Sequence, residues 1–172
     1  MIKERLIDYV RDSISKNWDI EALSDYQGKS FTYRDIAERI LKLHMIFGEA
    51  GIKEGDKVAL LGKNSANWCS VYLATVTYGA VSVPIMPDFK PDDLTNIINH
   101  SDSLLLFADE KLWAGLKYAS LPELRSVFKL ETFDHIEGRD KKTKELSINL
   151  DRKFEEKYPA FSAADMKPSM SA

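Results

Sequence analysis

Short apolar runs separated by helical patterns constrain this chain more than any other feature. The runs are Val58–Leu61, Val81–Val83, Ser103–Phe107 and Ser126–Leu130. After the first, Asn64 or Ser65 caps a helix through Tyr78 that Gly79 ends. It is apolar on most faces (Trp68, Val71, Tyr72, Ala74, Val76), the pattern of a helix inside a layered domain or beneath a partner. Pro84 is read as stopping the second strand. Pro91 then suits a first helical position, Asp92 and Asp93 the first turn, and Leu94, Ile97 and Ile98 a buried face. Asp109 caps a short helix carrying Leu112, Trp113 and Leu116. Strand–helix alternation on short connections implies a mainly parallel sheet flanked by helices, an α/β fold. Strands this apolar fit burial on both faces.

The preceding segment prepares this unit. Ile2, Leu6, Val10 and Ile14 recur on a four-residue beat and predict an amphipathic helix over residues 1–16. Between Ile20 and Tyr33, β-prone residues flank Asp25-Tyr26-Gln27-Gly28-Lys29, a small hairpin with Gly28 expected at positive φ. Thr32 is the expected N-cap of a helix whose stripe is Tyr33, Ile36, Ile40, Leu43, Phe47 and Ala50. Gly51 is the expected residue beyond its end, with Ile52 packing back.

Composition excludes several classes. The 172 residues carry 24 Lys+Arg and 27 Asp+Glu, a net charge of -3 that argues against a dedicated nucleic-acid binder. A single cysteine, Cys69, excludes an intramolecular disulfide or a multi-cysteine zinc site, and His44, His100 and His135 lack metal-ligand spacing. The N-terminus lacks a signal-peptide pattern, and the longest clear apolar run, Leu104–Ala108, is far short of a membrane span. The chain is therefore read as cytoplasmic, with peripheral membrane contact left open. Charges of both signs mix over residues 137–157, read as a solvated loop and helix. Residues 1–158 are read as an incomplete N-terminal α/β domain and 159–172 as a flexible tail or severed linker.

Motifs that carry chemistry are few. Gly62-Lys63-Asn64-Ser65 follows a strand and opens a helix, where anions bind, but a P-loop needs glycine at Lys57 and Ser or Thr at Asn64. The simpler reading is a strand-to-helix turn. His100-Ser101-Asp102 holds the residue types of a hydrolase triad in adjacent positions, which do not form the relay. Asp88, Asp92 and Asp93 invite a hard cation, yet a helix start explains Asp92 and Asp93. Cys69 reads as a small buried side chain, and Trp68 and Trp113 fall at core spacing. No catalytic, cofactor-binding or metal-binding residue is assigned.

Residues 18–108 carry a resemblance. Trp18, Ala22-Leu23 and Gly28-Lys29-Ser30-Phe31-Thr32-Tyr33-Arg34-Asp35-Ile36-Ala37 look like the opening of AMP-forming acyl-CoA synthetases. Gly51-Ile52-Lys53-Glu54-Gly55-Asp56-Lys57-Val58-Ala59-Leu60-Leu61 resembles their glycine–aspartate segment before the first sheet strand. Asn64-Ser65-Ala66-Asn67-Trp68, then Leu73 through Ile85, continue it, the latter similar to a core motif of the adenylate-forming superfamily. Ile98-Asn99-His100-Ser101-Asp102-Ser103 also fits. The specificity lies in their order and combination, with a flavour resembling bacterial long-chain-fatty-acid–CoA ligases.

The resemblance implies part of a large N-terminal α/β domain. It implies a parent enzyme that joins a fatty acid to CoA through an acyl-adenylate, using ATP, Mg2+ and CoA and releasing AMP and pyrophosphate. The family's phosphate loop, adenine segment, ribose-binding aspartate and catalytic lysine match no position here. The chain is thus expected to be an inactive N-terminal fragment, partnered by the remainder of its enzyme or self-associating through exposed apolar surface. The alternatives are a stand-alone binding or regulatory module derived from that domain, and a Rossmann- or flavodoxin-like nucleotide binder using Gly62–Ser65.

Overall fold

A computed structural model describes residues 5–166. Helix α1 (Leu6–Lys16) buries Ile14; Ile2 of its expected stripe lies outside the described residues. Strands β1 (Glu21–Ser24) and β2 (Ser30–Thr32) pair as the expected antiparallel hairpin. Its turn differs in one respect: Gln27, not Gly28, takes the positive φ (54°). Gly28 is needed for close approach instead, because a Cβ there would stand 2.9 Å from Asp25 Cβ.

Helix α2 (Tyr33–Glu49) starts on a capping box. Thr32 Oγ1 accepts from the Asp35 N–H at 3.2 Å, and Asp35 Oδ2 accepts from the Thr32 N–H at 2.7 Å. At its end Gly51 takes φ +68°, the Ile52 N–H reaches the Phe47 carbonyl and the Gly51 N–H that of Gly48, a Schellman closure with Ile52 buried. Arg125 Nη1 donates to the carbonyls of Ala50 and Gly51, both at 2.9 Å, and ties the helix end to a distant strand.

The sheet follows the expected alternation. Strands β3 (Lys57–Leu61), β4 (Val81–Ile85), β5 (Leu105–Ala108) and β6 (Ser126–Lys129) are parallel, and β7 (His135–Gly138) adds antiparallel to β6. The order is β4-β3-β5-β6-β7. Helix α3 (Ala66–Tyr78) leads to β4, α4 (Pro91–His100) to β5, and the short α5 (Glu110–Trp113) follows β5. Alternate strand residues serve separate cores. Val58, Leu60, Leu105, Phe107 and Phe128 face α2 and α3, while Ala59, Leu61, Leu106, Ala108 and Val127 face α4 and α5. Connections that leave β3 and β4 in opposite directions along the sheet must place α3 and α4 on opposite faces.

Pro84 does not end β4; it lies inside it, opposite Leu60. The Val81 N–H bonds the Asp56 carbonyl at 2.8 Å, so residues 81, 83 and 85 point toward β3. Ser82 and Pro84 point outward from an edge strand, where a missing N–H costs the ladder nothing.

The mixed-charge segment is more ordered inward than its charges imply. After β7 come α6 (Lys141–Ile148) and α7 (Leu150–Lys157), which bury Thr143, Leu146, Leu150 and Phe154 in the α2-side core. Lys42 of α2 bonds Glu38 at 2.5 Å and Asp151 of α7 at 2.7 Å. Packing also continues past 158: Phe161 sits 5.2 Å from both Trp18 and Phe154, and Met166 is fully buried. Residues 167–172, the rest of the expected tail, lie outside the described residues. Among the described residues no helix is long and apolar enough to cross a membrane.

Candidate functional site at the carboxyl edge of the sheet

Strand order locates the place where an α/β sheet can bind a ligand. The chain leaves β3 for β4 on one side and leaves β5 for β6 on the other, so the direction reverses between β3 and β5. Such a reversal opens a crevice at the carboxyl ends of the strands. Here Gly62–Ser65 follow β3, Met86–Asp88 follow β4 and Asp109 follows β5.

The crevice between β3 and β5 is closed from within. Gly62 faces the Leu130 side chain so closely that a Cβ would collide with it. The Asp109 N–H bonds the Leu61 carbonyl at 2.9 Å, and its carboxylate caps α5 through the Lys111 N–H at 2.9 Å. The open space is displaced toward β4, as a cleft of about 400 Å3 lined by Lys63, Asn64, Trp68, Met86, Pro87 and Asp88. Lys63 and Asn64 are exposed and Met86 is 65% exposed. The Trp68 indole is stacked on Tyr72 at 5.8 Å and 7°, which fixes a rigid aromatic wall.

The helix N-terminus beside this cleft already holds an anion from its own chain. Asp25 Oδ1, carried by the hairpin turn, accepts from the Ala66 N–H at 2.7 Å, and Ser65 Oγ accepts from the Trp68 N–H at 3.1 Å. A phosphate needs those same amides. Gly62–Ser65 is thus a capped strand-to-helix turn, and a triphosphate does not fit on it. Asp25→Ala is expected to cost about 1–2 kcal/mol, since it removes both a hydrogen-bonded cap and a charge at the positive helix end. Urea unfolding followed by circular dichroism measures it. The signal for Asp25 is absent from local sequence, because it caps a helix 41 residues away.

The other sequence candidates scatter. Ser101 is the C-cap of α4 and its hydroxyl donates to the Ile98 carbonyl at 2.9 Å; Asp102 takes φ 54°, and His100 is exposed. The structure brings no relay together from them. Asp92 and Asp93 occupy the exposed first turn of α4 behind Pro91. Among the described residues no cluster of His, Cys, Asp or Glu is placed to hold a metal ion. Burial raises the Cys69 thiol above its ordinary value, which keeps it protonated.

Burial displaces the titration of His44, and its role is internal. Its Nε2 lies 3.0 Å from the Ala74 carbonyl and 3.1 Å from Thr77 Oγ1. A carbonyl only accepts, so Nε2 carries the proton and Nδ1 is left as a bare, buried acceptor without a partner. Desolvation lowers the imidazole to about 4, against the bond to Ala74, which favours charge. His44 joins α2 to α3.

The grouping at the carboxyl edge is suited to binding: an ammonium, an amide and an indole face on one cleft, with the Ser65 hydroxyl already engaged. The sequence as a whole then settles the lineage. The family model for AMP-binding enzymes matches residues 10–169. The chain belongs to the AMP-binding enzyme family. Relatives of this AMP-binding chain include the medium-chain fatty-acid–CoA ligase of Escherichia coli (strain K12), 30% identical over 106 residues, covering 60% of this chain and 18% of that one. Surfactin synthase subunit 2 of Bacillus subtilis (strain 168) is 27% identical over 131 residues, covering 74% of this chain and 4% of that one. Among solved structures, a long-chain-fatty-acid-CoA ligase (FadD1) from Archaeoglobus fulgidus has a TM-score of 0.68 at 22% identity, over 86% of this chain and 30% of that one. The fold is that of adenylate-forming enzymes' N-terminal domains. This chain spans less than a quarter of the length of either curated relative.

Proposed function

We propose that this chain is the N-terminal portion of an ATP-dependent acyl-CoA ligase acting on fatty acids. The family match over residues 10–169 carries the reading, and the fatty-acid–CoA ligase relative supports its substrate class. In that enzyme a fatty carboxylate attacks the α-phosphorus of ATP, which forms an acyl-adenylate and expels pyrophosphate. The CoA thiol then attacks the acyl carbon and expels AMP. The α3 N-terminus does not fit the triphosphate of ATP, because Asp25 holds the Ala66 amide, and no step is assigned to residues of this chain.

The part left to the chain is structural: a rigid α/β unit whose carboxyl edge contributes Lys63, Asn64 and Trp68 to one wall of a site. The remainder of the enzyme would pack over the apolar side chains exposed along β4 and after it, Val81, Met86 and Phe89.

Pyrophosphate release separates the alternatives. The 172-residue chain and the product of the whole reading frame are each given ATP, magnesium and fatty acids of graded length. The whole product is expected to release pyrophosphate only with a fatty acid present, and the 172-residue chain to release none. Fatty-acid-dependent release by the 172-residue chain overturns the inactive-portion reading. A reading frame that ends at Ala172, or a longer product inactive with every fatty acid, overturns the ligase reading in favour of a binding module.

A further inference from the structure

Strand β7 closes one edge of the main sheet. It is four residues long, pairs only with β6 and leaves its other edge unpaired among the described residues. The register slips between Val127 and Phe128, which face Glu137 and His135, so Ile136 is an extra residue, a bulge. The bulge leaves His135 and Gly138 both on the face that carries Ser126 and Phe128 of β6.

Three polar atoms are buried on that face without partners. His135 Nδ1, His135 Nε2 and Ser126 Oγ make no hydrogen bond among the described residues. A Cβ at Gly138 would stand 2.6 Å from Ser126 Oγ and 2.7 Å from His135 Nε2, so any side chain there would displace both. The imidazole meets the Phe128 ring edge-on, with 5.5 Å between centroids at 88°. Its neighbours from β6, Ser126 and Phe128, are neutral. Two charges act on the ring, both from α6: Lys144 opposes a proton there and Asp140 favours one. Asp140 is already engaged as the α6 cap, accepting from the Lys142 N–H and from Thr143 Oγ1. Burial, with Lys144 assisting, lowers the ring below its ordinary value.

A neutral imidazole suits this place and an imidazolium does not. Charging the ring makes both nitrogens donors, and neither has an acceptor bonded to it. The least costly escape is to lift the edge strand. The Lys129 N–H bonds the Asp134 carbonyl at 2.8 Å, the Arg139 N–H bonds that of Arg125 at 2.9 Å, and the His135 N–H bonds Ser147 Oγ at 3.1 Å. So short a ladder at a sheet edge opens locally at less cost than the whole fold. His44 differs, because it joins α2 to α3 and charging it requires the main core to open. We propose that the neutral His135 ring latches β7 to β6, and that proton uptake by this ring releases β7 while β3, β5 and β6 stay folded. Release uncovers the β6 edge at Ser126–Lys129, on the side of the sheet away from β4. This proposal does not depend on the ligase reading, and its test needs no turnover.

Amide hydrogen exchange of the 172-residue chain at pH 7.5 and 5.5, corrected for the pH dependence of intrinsic exchange, tests it. The amides of Lys129 and Arg139 bridge β6 and β7 and report release. At both pH values they are expected to be less protected than β5 amides and insensitive to low urea, the mark of local opening. Between pH 7.5 and 5.5 they should lose about three- to tenfold in protection, the upper figure being the limit for a released ring that titrates near 6.5. His135→Phe, which keeps an aromatic ring against Phe128 and cannot take a proton, should abolish that loss. His44→Gln should leave it in place, which separates the latch from acid effects on the main core. Lys144→Gln, an exposed change that leaves the core untouched, should shrink the loss, because the charge opposing the proton is gone. A single protection factor and urea slope shared by these amides and those of β5 overturns the proposal. So does a loss under twofold, or one undiminished in His135→Phe or in Lys144→Gln.

Discussion

Phe107→Ala is expected to remove about 4 kcal/mol of stability, the upper range for truncating a buried aromatic side chain. Phe107 lies on the central strand β5 and is fully buried. Its ring stacks on Phe128 at 5.0 Å and meets Phe47 and Phe133 edge-on at 6.1 and 6.2 Å. Those partners come from α2, β6 and the turn before β7, so the truncation leaves a cavity where three elements meet. Backbone hydrogen bonds on both sides of β5 prevent collapse into that space. Domains of this size have about 5–15 kcal/mol in total, so the variant should be largely unfolded in mild denaturant. A fall in the urea midpoint with an unchanged slope checks the effect; a loss under 1 kcal/mol would mean that the aromatic cluster relaxes freely.

Acid should destabilise the fold through His44. In the folded chain the imidazole titrates at about 4 because burial opposes its charge, while in the unfolded chain it returns to about 6.5. The unfolded chain therefore binds the proton first. Stability from the neutral ring is complete above pH 6.5 and is lost as pH falls toward 4, about 3 kcal/mol by that point. A second proton can enter only at Nδ1, which faces no acceptor. His135 adds in the same direction, its pKa also lowered by burial, with Lys144 assisting. Urea midpoints at pH 7.5 and 4.5 measure the slope. His44→Gln, whose amide can still donate toward Ala74, should flatten the pH dependence while costing stability at pH 7.5.

Much of the framework could be read from local chemistry, because its signals are local. Thr32 with Asp35, Gly51 with Ile52, and Ser65 or Gly79 at the ends of α3 each act within a few residues. Short continuous apolar runs sufficed for β3, β5 and β6 because these strands are buried on both faces. The misses have the opposite character. Strand β7, His-Ile-Glu-Gly, is largely exposed and exists because β6 offers it a partner. Thr143, Leu146, Leu150 and Phe154 do keep helical spacing, but the surrounding charges conceal it. Phe161 and Met166 pack only because α1 and α7 are already in place. Site features were the least legible: a cleft made by loops after β3 and β4, and Asp25 reaching Ala66, depend on tertiary structure alone.

The outward register of Pro84 sets how copies of this domain can meet. From Val81 to Ile85 the free edge offers a single outward amide, that of Ser82, since the next outward position is the proline. An incoming strand would find one donor and then a gap, so self-templated β-extension and fibril growth are starved on this side. A partner at this edge finds few backbone donors and more to hold in the exposed side chains of Val81, Met86 and Phe89. The proline thus lets a sticky edge remain selective.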